Sequence, residues 1–456
     1  MGRGGTRYAP GSMSWTPEQV LALAPDPSAA KAGRELGAER RWTNLGRSES
    51  ALWGECKGSA AQPYRTSIDL GEPAFKCSCP SRKFPCKHGL GLFLIYAARP
   101  ASLAEGKAPD WVEAWLADRQ ARAEKAAKPR APARPVDPAR AAAQAVQRAG
   151  RRTARASQGV DELNLWVHDM LREGLAELPR RPQAFWATIA AHMVDAQVPG
   201  LARMVGELSS IPNSGQGWPD RMLARLGRLQ LLLEAARRLE SLEQGLQADV
   251  RAALGFTESK EDVLAGGELV HDEWLVTGRF VSADDRLKVQ RTWLRGTSTR
   301  RWCLVLDFAA GPQPLDQSLI TGTKFEGEVR FYSGSRPVRG LVGAKQEMSP
   351  LDSLGGDGSV QESLRAYAGM LAASPFFDRA PISLDGVLPH RDESGWYLVD
   401  SSGEALRIAG GPACWRIQAM SGGRRLAVFG EWDGVRLTPL SALAEGEFAN
   451  LQWIRP

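Results

Sequence analysis

The chain has 456 residues, of which 43% are hydrophobic and 24% charged, a composition that excludes a disordered chain and predicts about two to four domains. No apolar run reaches the roughly 18 residues of a membrane-spanning helix, so we expect no membrane interaction. The N-terminal stretch MGRGGTRYAPGSMSW lacks the apolar centre of a signal peptide, which predicts a cytoplasmic protein with reduced thiols.

Positive charge is concentrated in the first third of the chain. Residues 1–157 contain 26 Lys and Arg against 14 Asp and Glu, although the net charge of the whole chain is only +6. This imbalance predicts a polyanionic partner. Ten of these basic residues lie within residues 120–157, however, and a run of this kind is usually a solvated linker.

The first third begins with helix signals and continues with strand signals. Thr16 followed by Pro17 is typical of a helix start, within a region that we predict as tail and short helices. Further on, Tyr64, Thr66 and Ile68 alternate with polar residues, which predicts a half-buried strand. The apolar stretch HGLGLFLIYAA then predicts a short helix.

The rest of the chain changes from helical to β-rich patterning. Leu163, Trp166, Val167 and Met170 follow the spacing of an amphipathic helix, and later stretches such as EWLVTGRFV and RWCLVLDFA read as strands that could form a barrel or a sandwich. We therefore predict an α+β, multidomain protein. Its predicted parts are a tail and short helices (1–49), a ββα-like finger (50–100), a helix (101–127), an Ala/Arg/Pro-rich basic linker (128–157), an all-helical middle domain (158–256) and a β-rich C-terminal domain (257–456).

Four metal-ligand residues lie within the stretch KCSCPSRKFPCKHG. They have the spacing Cys-x-Cys, six residues, then Cys-x-His, and three thiolates with one imidazole suit tetrahedral zinc. Four protein ligands leave no open position, so we predict a structural ion rather than a Lewis acid. The predicted ligands are Cys77, Cys79, Cys86 and His88.

Three other interpretations of this cluster stay open. A disulfide framework requires an oxidising compartment, a redox site would more naturally have Cys-x-x-Cys, and the four residues could also share no site at all. The remaining cysteines do not extend the motif: Cys56 reads as a packed strand residue or a spare ligand. Cys303 and Cys414 read as buried free thiols in apolar strands.

The ligand pattern, its preceding strands and the following apolar helix resemble the SWIM zinc-finger family over roughly residues 50–100. The stretch WGECKGSAAQPYRTSIDL is similar to the leading hairpin of that family. The resemblance implies a small zinc-stabilised module that binds DNA or protein, and the long architecture resembles uncharacterised bacterial SWIM proteins, some of them linked to ATPase partners.

The sequence provides no positive sign of catalysis. It contains no phosphate-binding loop and no nucleophile elbow, and its Glu and Asp residues show no paired spacing that marks a site. His168 and His192 read as structural or surface residues and His390 as a loop residue. His271, Asp272 and Glu273 are adjacent in a predicted strand, where they cannot easily converge. We therefore expect no enzyme, and the less favoured alternative is an active site in the C-terminal β domain.

Two binding functions remain. The basic residues Lys76, Arg82, Lys83 and Lys87 are candidates for non-specific contact with nucleic acid, together with the basic linker. A helix that reads a DNA groove needs polar side chains, however, and the finger helix is almost wholly apolar. We therefore predict a non-enzymatic adaptor or regulatory protein with a protein partner, and non-specific DNA binding as the alternative.

Overall fold

The computed structural model of the chain describes residues 15, 17–25, 27–58, 62–71, 74–81, 83–127, 138–283, 287–310 and 313–452. The predictions for the tail before residue 15, for Thr16 at the predicted helix start, for Arg82 and for residues 128–137 of the basic linker lie outside the described residues.

The N-terminal module is a five-stranded sheet with helices packed on it. The order of its strands is β4-β3-β2-β1-β5, in which β1 to β4 are an antiparallel meander and β5 runs parallel to β1. The elements are α1 (Pro17–Ala22), α2 (Pro27–Leu36), β1 (Trp42–Arg47), β2 (Ala51–Cys56), β3 (Tyr64–Asp69), β4 (Ala74–Cys77), α3 (Lys87–Ala98), β5 (Ala104–Glu105) and α4 (Asp110–Ala127).

The helix α3 lies in the centre of this module. Every residue from His88 to Ile95 is buried, which explains why the sequence of the helix is apolar on all sides rather than on one face. Helix α2 approaches it closely, since a Cβ on Gly91 would lie 2.7 Å from the Cβ of Leu36. The predicted strand–strand–helix unit is therefore present, and its sheet extends to β1, before the predicted start at residue 50.

The middle of the chain is helical, with a core of its own. Leu163, Val167 and Met170 are buried as their spacing predicts, beside Trp186 and Leu229. No described helix has the length and apolar character to span a membrane. The helices are α5 (Pro138–Glu173), α6 (Gln183–Asp195), α7 (Pro199–Leu208), α8 (Trp218–Arg237), α9 (Gln244–Leu254) and α10 (Lys260–Gly266).

Helix α5 begins twenty residues before the predicted end of the basic linker. Residues 138–157 are rich in alanine, the best helix former, and Pro138 stands at the first helical position, where proline is tolerated. Ala156 and Val160 are buried in the helical core, so the last part of the predicted linker is tied to the domain.

The β-rich region begins with a five-stranded barrel. Its strand order is β10-β9-β6-β7-β8, with a short β11 beside β9, and a parallel pairing of Leu304 with Arg339 joins the two ends of the sheet. The amide of Leu304 donates to the carbonyl oxygen of Val338 at 2.7 Å along this seam. The strands are β6 (Glu268–Ala283), β7 (Leu287–Gly296), β8 (Trp302–Ala310), β9 (Thr323–Phe331), β10 (Gly340–Lys345) and β11 (Ser349–Pro350).

A second barrel repeats this connectivity. Its order is β14-β13-β12-β15-β16-β17, and a parallel pairing of Ile408 with Leu437 closes the ring between β14 and β16. The strands β13 and β14 form one antiparallel hairpin, and β15 and β16 form another. The elements are α11 (Val360–Ala373), β12 (Ala380–Asp392), β13 (Gly395–Val399), β14 (Ala405–Ile408), α12 (Pro412–Ser421), β15 (Leu426–Trp432), β16 (Leu437–Ala444) and β17 (Glu447–Asn450).

In each barrel the first strand pairs with the second and the fourth, and the third pairs in parallel with the fifth. This is the connectivity of the OB-fold, a five-stranded, partly open Greek-key barrel. In the second barrel α12 connects the third strand to the fourth. The sequence analysis predicted either a barrel or a sandwich for the β-rich region. The structure has two barrels there.

One of the predicted strand contexts is wrong. Cys414 lies in α12, where Pro412 occupies the first turn and Gly422, with φ of 52°, ends the helix. Its thiol is buried and donates to the carbonyl oxygen of Ala409 at 3.2 Å. Cys303 is buried in β8 as predicted.

A buried ion pair joins the two barrels. Glu431 on β15 is fully buried and accepts hydrogen bonds from Arg291 at 2.7 and 2.8 Å and from the indole of Trp293 at 2.9 Å, both on β7. Nearby, the rings of Trp302 and Phe429 stack with centroids 5.2 Å apart. The barrels therefore share an interface with its own polar anchor.

Candidate metal centre

The four predicted ligands come from the end of a strand and the start of a helix. Cys77 is the last residue of β4, and Cys79 follows in the turn. Cys86 caps α3, because it has extended backbone and its sulfur accepts from the amide of Gly89 at 3.5 Å. His88 lies in the first turn of the same helix. The hairpin and the helix thus bring two short pairs of residues face to face.

The four side chains converge on one point. Their possible ligand atoms all lie within 4.8 Å of one another. The sulfur of Cys77 is 3.7 Å from Nδ1 of His88, close to the roughly 3.5–3.8 Å between ligand atoms of a tetrahedral zinc ion. Cys86 and His88 are 6% and 3% exposed, whereas Cys77 and Cys79 are partly exposed. An ion here would therefore be held on the inner side of the loop.

The protonation of the cluster fits a cation. Hydrogen bonding from Cys86 lowers the pKa of the Cys77 thiol to about 4 despite its burial, with help from His88 and Thr66. The same contact and burial raise the pKa of Cys86, and burial raises that of Cys79. Cys77 is therefore the cysteine that ionises most readily, whereas Cys79 and Cys86 need a nearby positive charge to ionise. A bound metal ion would provide that charge.

Two supporting residues were not predicted from the sequence. The hydroxyl of Thr66 lies 3.2 Å from the sulfur of Cys77, opposite it in the β3–β4 register, and the ring of Tyr64 packs 4.8 Å from that of His88. The alternation of β3 could have identified both, because Tyr64 and Thr66 lie on one face of the sheet, and Cys77, opposite Thr66 on β4, lies on the same face.

The predicted basic residues surround the loop on its outer side. Lys76, Lys83 and Lys87 are exposed, and the ammonium of Lys83 donates to the hydroxyl of Ser28 at 2.7 Å. Between them Phe84 is 40% exposed and contacts Phe75 edge-on, with centroids 6.1 Å apart. Their role as nucleic-acid ligands stays a prediction.

Cys56 is buried in β2 and does not take part in the cluster. Burial, and the charge of Cys77, raise the pKa of its thiol, as expected for a packed side chain. Within the described part of the chain, the cluster at the end of β4 is the only group of three or more metal-ligating side chains within reach of one ion.

A hairpin, a helix and a closed Cys₃His ligand set define the class of a structural zinc finger. Comparison with family models agrees: residues 64–97 match the SWIM zinc finger, and residues 151–254 match the SWIM-associated four-helix bundle domain. The resemblance predicted from the sequence is thereby confirmed, and the bundle adds a second SWIM-related part. No curated protein and no solved structure shows a significant match to the chain.

Proposed function

We propose that this is a zinc-stabilised, non-enzymatic adaptor protein of the cytoplasm whose finger binds a protein partner. The observation that supports this function most directly is the burial of α3 from His88 to Ile95. A helix that is enclosed by its own module has no face to insert into a DNA groove, so the finger offers its ligand loop to a partner instead.

The proposed zinc ion has a structural role. Cys77, Cys79, Cys86 and His88 would hold it, and these four protein ligands complete a tetrahedral shell. Bound zinc would fix the turn at Cys79 and the start of α3, and so the course of the loop between them. No position in the shell is left for water or substrate, which supports a function without catalysis at this site.

The chemistry of the loop favours an acidic protein surface as the partner. Lys76, Lys83 and Lys87 are exposed around the half-exposed ring of Phe84. Lysines attract carboxylates and steer association, while an aromatic ring provides an apolar contact at the centre. An ATPase partner stays a prediction of the SWIM resemblance.

A second candidate is non-specific DNA binding through the same lysines. Their exposure favours it, because lysines can contact the phosphate backbone without reading bases. Such binding would weaken steeply as the salt concentration rises.

An affinity-capture experiment separates these candidates. The bait is the full chain in a nuclease-treated lysate, compared with Lys76→Glu/Lys87→Glu and with a control of equal charge change on the helical domain, Arg238→Glu/Lys260→Glu. We expect a defined protein that is retained by the wild type and the control and lost with the loop variant, at unchanged zinc content. Retention by all three proteins, or capture from an untreated lysate but not from the nuclease-treated one, would overturn the proposed partner.

A further inference from the structure

A second concave site lies beside the seam of the first barrel, and none of its lining residues belongs to the finger. It is a cavity of about 500 Å³ between the β7–β8 turn, the loop that connects β9 to β10, and α11. Cavities of this size bind small ligands or parts of larger ones. Four of the side chains that line it are arginines: Arg295, Arg300, Arg301 and Arg336.

The positive charge of this cavity is only partly balanced by Asp357, Glu268 and the neighbouring Asp385. Among the described residues that line it, Asp357 is the only carboxylate, and Arg295 and Arg300 share one of its oxygens at 2.6 and 2.7 Å. Arg301 pairs with Glu268 at 2.5 Å. Arg336 has no hydrogen bond or ion pair with any described residue, so the cavity carries free donors and an excess of positive charge.

Arg295 adds fixed positive charge to the wall of the cavity. Its guanidinium lies over the ring of Trp302, 4.5 Å from its centroid, which holds it in place. Its side chain is only 6% exposed, and its Nε is buried without a hydrogen-bond acceptor in the described structure. Arg295 therefore attracts an anion through its charge, whereas Arg300, whose side chain is 56% exposed, and the exposed Arg336 can contact the anion directly.

An aromatic cavity adjoins the arginines. It has a volume of about 540 Å³ and lies on the other side of the segment Arg336–Val338, which lines both cavities. Phe256, Tyr332 and Phe376 are among its lining residues. Three carboxylates also line it, and each already has a partner: Asp249 and Glu258 accept from the amides of Ser335 and Ser333, and Asp378 pairs with Arg203 and Arg228. A phosphate site next to aromatic side chains is the arrangement that suits a nucleotide, whose base stacks while its phosphate is held by guanidinium groups.

The position of the two cavities in the barrel also supports a ligand that contains nucleotides. OB-folds bind oligonucleotides and oligosaccharides on their second and third strands and on the loop between the fourth and fifth. In the first barrel these are β7, β8 and residues 332–339, and all three contribute to the cavities. Fold analogy alone would not identify a ligand. The excess of arginines over carboxylates in the cavity favours an oligonucleotide, which is a polyanion, over an uncharged oligosaccharide.

We propose that these two cavities form a binding site for single-stranded nucleic acid, with backbone phosphates on Arg300 and Arg336, beside the fixed charge of Arg295, and a base in the aromatic cavity. This site goes beyond the proposed adaptor function and is separate from the finger lysines. It requires no base-specific contacts, because arginine and aromatic rings hold phosphate and any base face.

Fluorescence anisotropy with the full-length protein tests this site. The probes are a labelled 20-nucleotide mixed-sequence single strand and the matching duplex, each at about 50 and 200 mM salt, with inorganic phosphate and a mononucleotide as competitors. The test variant is Arg336→Glu, which breaks no ion pair. The controls are Arg238→Glu, with the same charge change on the helical domain, and the finger variant Lys76→Glu/Lys87→Glu.

We expect the wild type to bind the single strand more tightly than the duplex, and Arg336→Glu to bind it at least about tenfold more weakly, with a salt slope smaller by about one. Both controls should stay within about twofold of the wild type. Arg300→Ala provides a second variant, and thermal unfolding confirms that each variant is folded.

Three results would overturn the proposal. The first is no binding of the single strand at low salt. The second is equal loss of binding with the finger variant, which would move the site to the finger. The third is binding of the mononucleotide or phosphate at this cavity without binding of the strand, which would identify a small phosphorylated ligand instead.

Discussion

Asp272 is a single residue that holds the turn on one side of the arginine cavity. Its buried carboxylate accepts hydrogen bonds from the amides of Glu273, Ser298 and Thr299 and from the hydroxyls of Thr297 and Thr299, at 2.6 to 3.3 Å. The turn between β7 and β8 therefore depends on one negative charge.

We predict that Asp272→Asn lowers the free energy of unfolding by about 1–3 kcal/mol, because an amide leaves donors of the turn without an acceptor. Calorimetry of the variant measures this, with the exposed Asp352→Asn as the control, which should change it by less than about 0.5 kcal/mol. An unchanged melting temperature for Asp272→Asn would contradict the importance of the carboxylate.

The same residue predicts a pH dependence. Burial acts to raise the pKa of Asp272, but hydrogen bonds from Thr299, Ser298 and Glu273 outweigh it and hold the pKa below its ordinary value. The folded state therefore binds this proton less readily than the unfolded state, so the stabilisation is present above about pH 4 and is lost as pH falls through the lower folded pKa. Melting temperatures between pH 3 and 6 should fall less steeply for Asp272→Asn than for the wild type.

The cysteines allow a matched test of the metal site. Cys86→Ala should reduce bound zinc from about one ion per chain to near zero, because three ligands and a lost helix cap no longer hold it. Cys56→Ala removes a buried thiol that lies outside the cluster, so zinc content should stay unchanged. Metal analysis of the purified proteins decides both, and equal loss of zinc in the two variants would make Cys56 a ligand.

At the residue scale, the sequence predicts a site when its residues lie close together along the chain, and not when they come from distant segments. The four predicted metal ligands lie within twelve residues, so the sequence shows their spacing directly and predicts a shared site. The arginine cavity combines Arg295 and Arg300 with Arg336, and only the pairing of β8 with the start of β10 brings these residues together. No local motif marks such a site.

At the element scale, the contact between the barrels rests on β7 and β15. Glu431 is 0% exposed and its partner Arg291 is 18% exposed. Removing one member of a buried pair leaves the other charge without a partner, so we predict that Glu431→Gln costs about 3 kcal/mol.

An exposed pair on the second barrel provides the control for this variant. Arg424 contacts Glu445, and their side chains are 66% and 63% exposed, so Glu445→Gln should cost about 0–1 kcal/mol. Calorimetry of both variants compares them directly. Similar small losses in the two would show that Glu431 does not anchor the barrels.

Two elements differ from the sequence prediction for local reasons. The start of α5 was assigned to a linker because its arginines and prolines resemble one, yet helix propensity from Pro138 onward prevails. Cys414 was placed in a strand because its neighbours are apolar, whereas Pro412 and Gly422 are the boundaries of a short helix. In both cases the residues at the ends of the helix, Pro138 for α5 and Pro412 and Gly422 for α12, indicate the helix better than the overall composition of the segment does.

At the scale of the whole molecule, the finger and the helical domain have separate cores. Trp42, Ile68 and Phe93 belong to one hydrophobic cluster and Leu163, Trp186 and Leu229 to another. Loss of metal should therefore affect them differently.

We predict that Cys86→Ala or His88→Ala loses hydrogen-exchange protection in β3, β4 and α3 but keeps it in α6 to α9. Hydrogen exchange of the full chain, followed by mass spectrometry, measures this. Opening of both regions together would show that the two cores unfold as one unit. The cluster of the finger also contains Trp274 and Val276 of the first barrel, so partial opening is expected to extend to β6.

The fold class was predictable because helical and strand patterns segregate along the chain, but the closure of the barrels was not. In each barrel the decisive contact is a single parallel pairing, Leu304 with Arg339 or Ile408 with Leu437. Neither pairing leaves a signal in the alternation of the strands, since an open sheet would have the same pattern.

These seams also set an order of events during synthesis on the ribosome. The first barrel cannot close until Arg339 has left the exit tunnel, which is 71 residues after its first strand residue, Glu268. At about 5–20 residues per second the nascent strands β6 to β8 therefore wait several seconds with an unpaired edge. The buried core of the helical domain ends at Leu254, so this core can form during that interval. The contacts of Phe376 and Asp378 with the domain are added only after the first barrel has been synthesised.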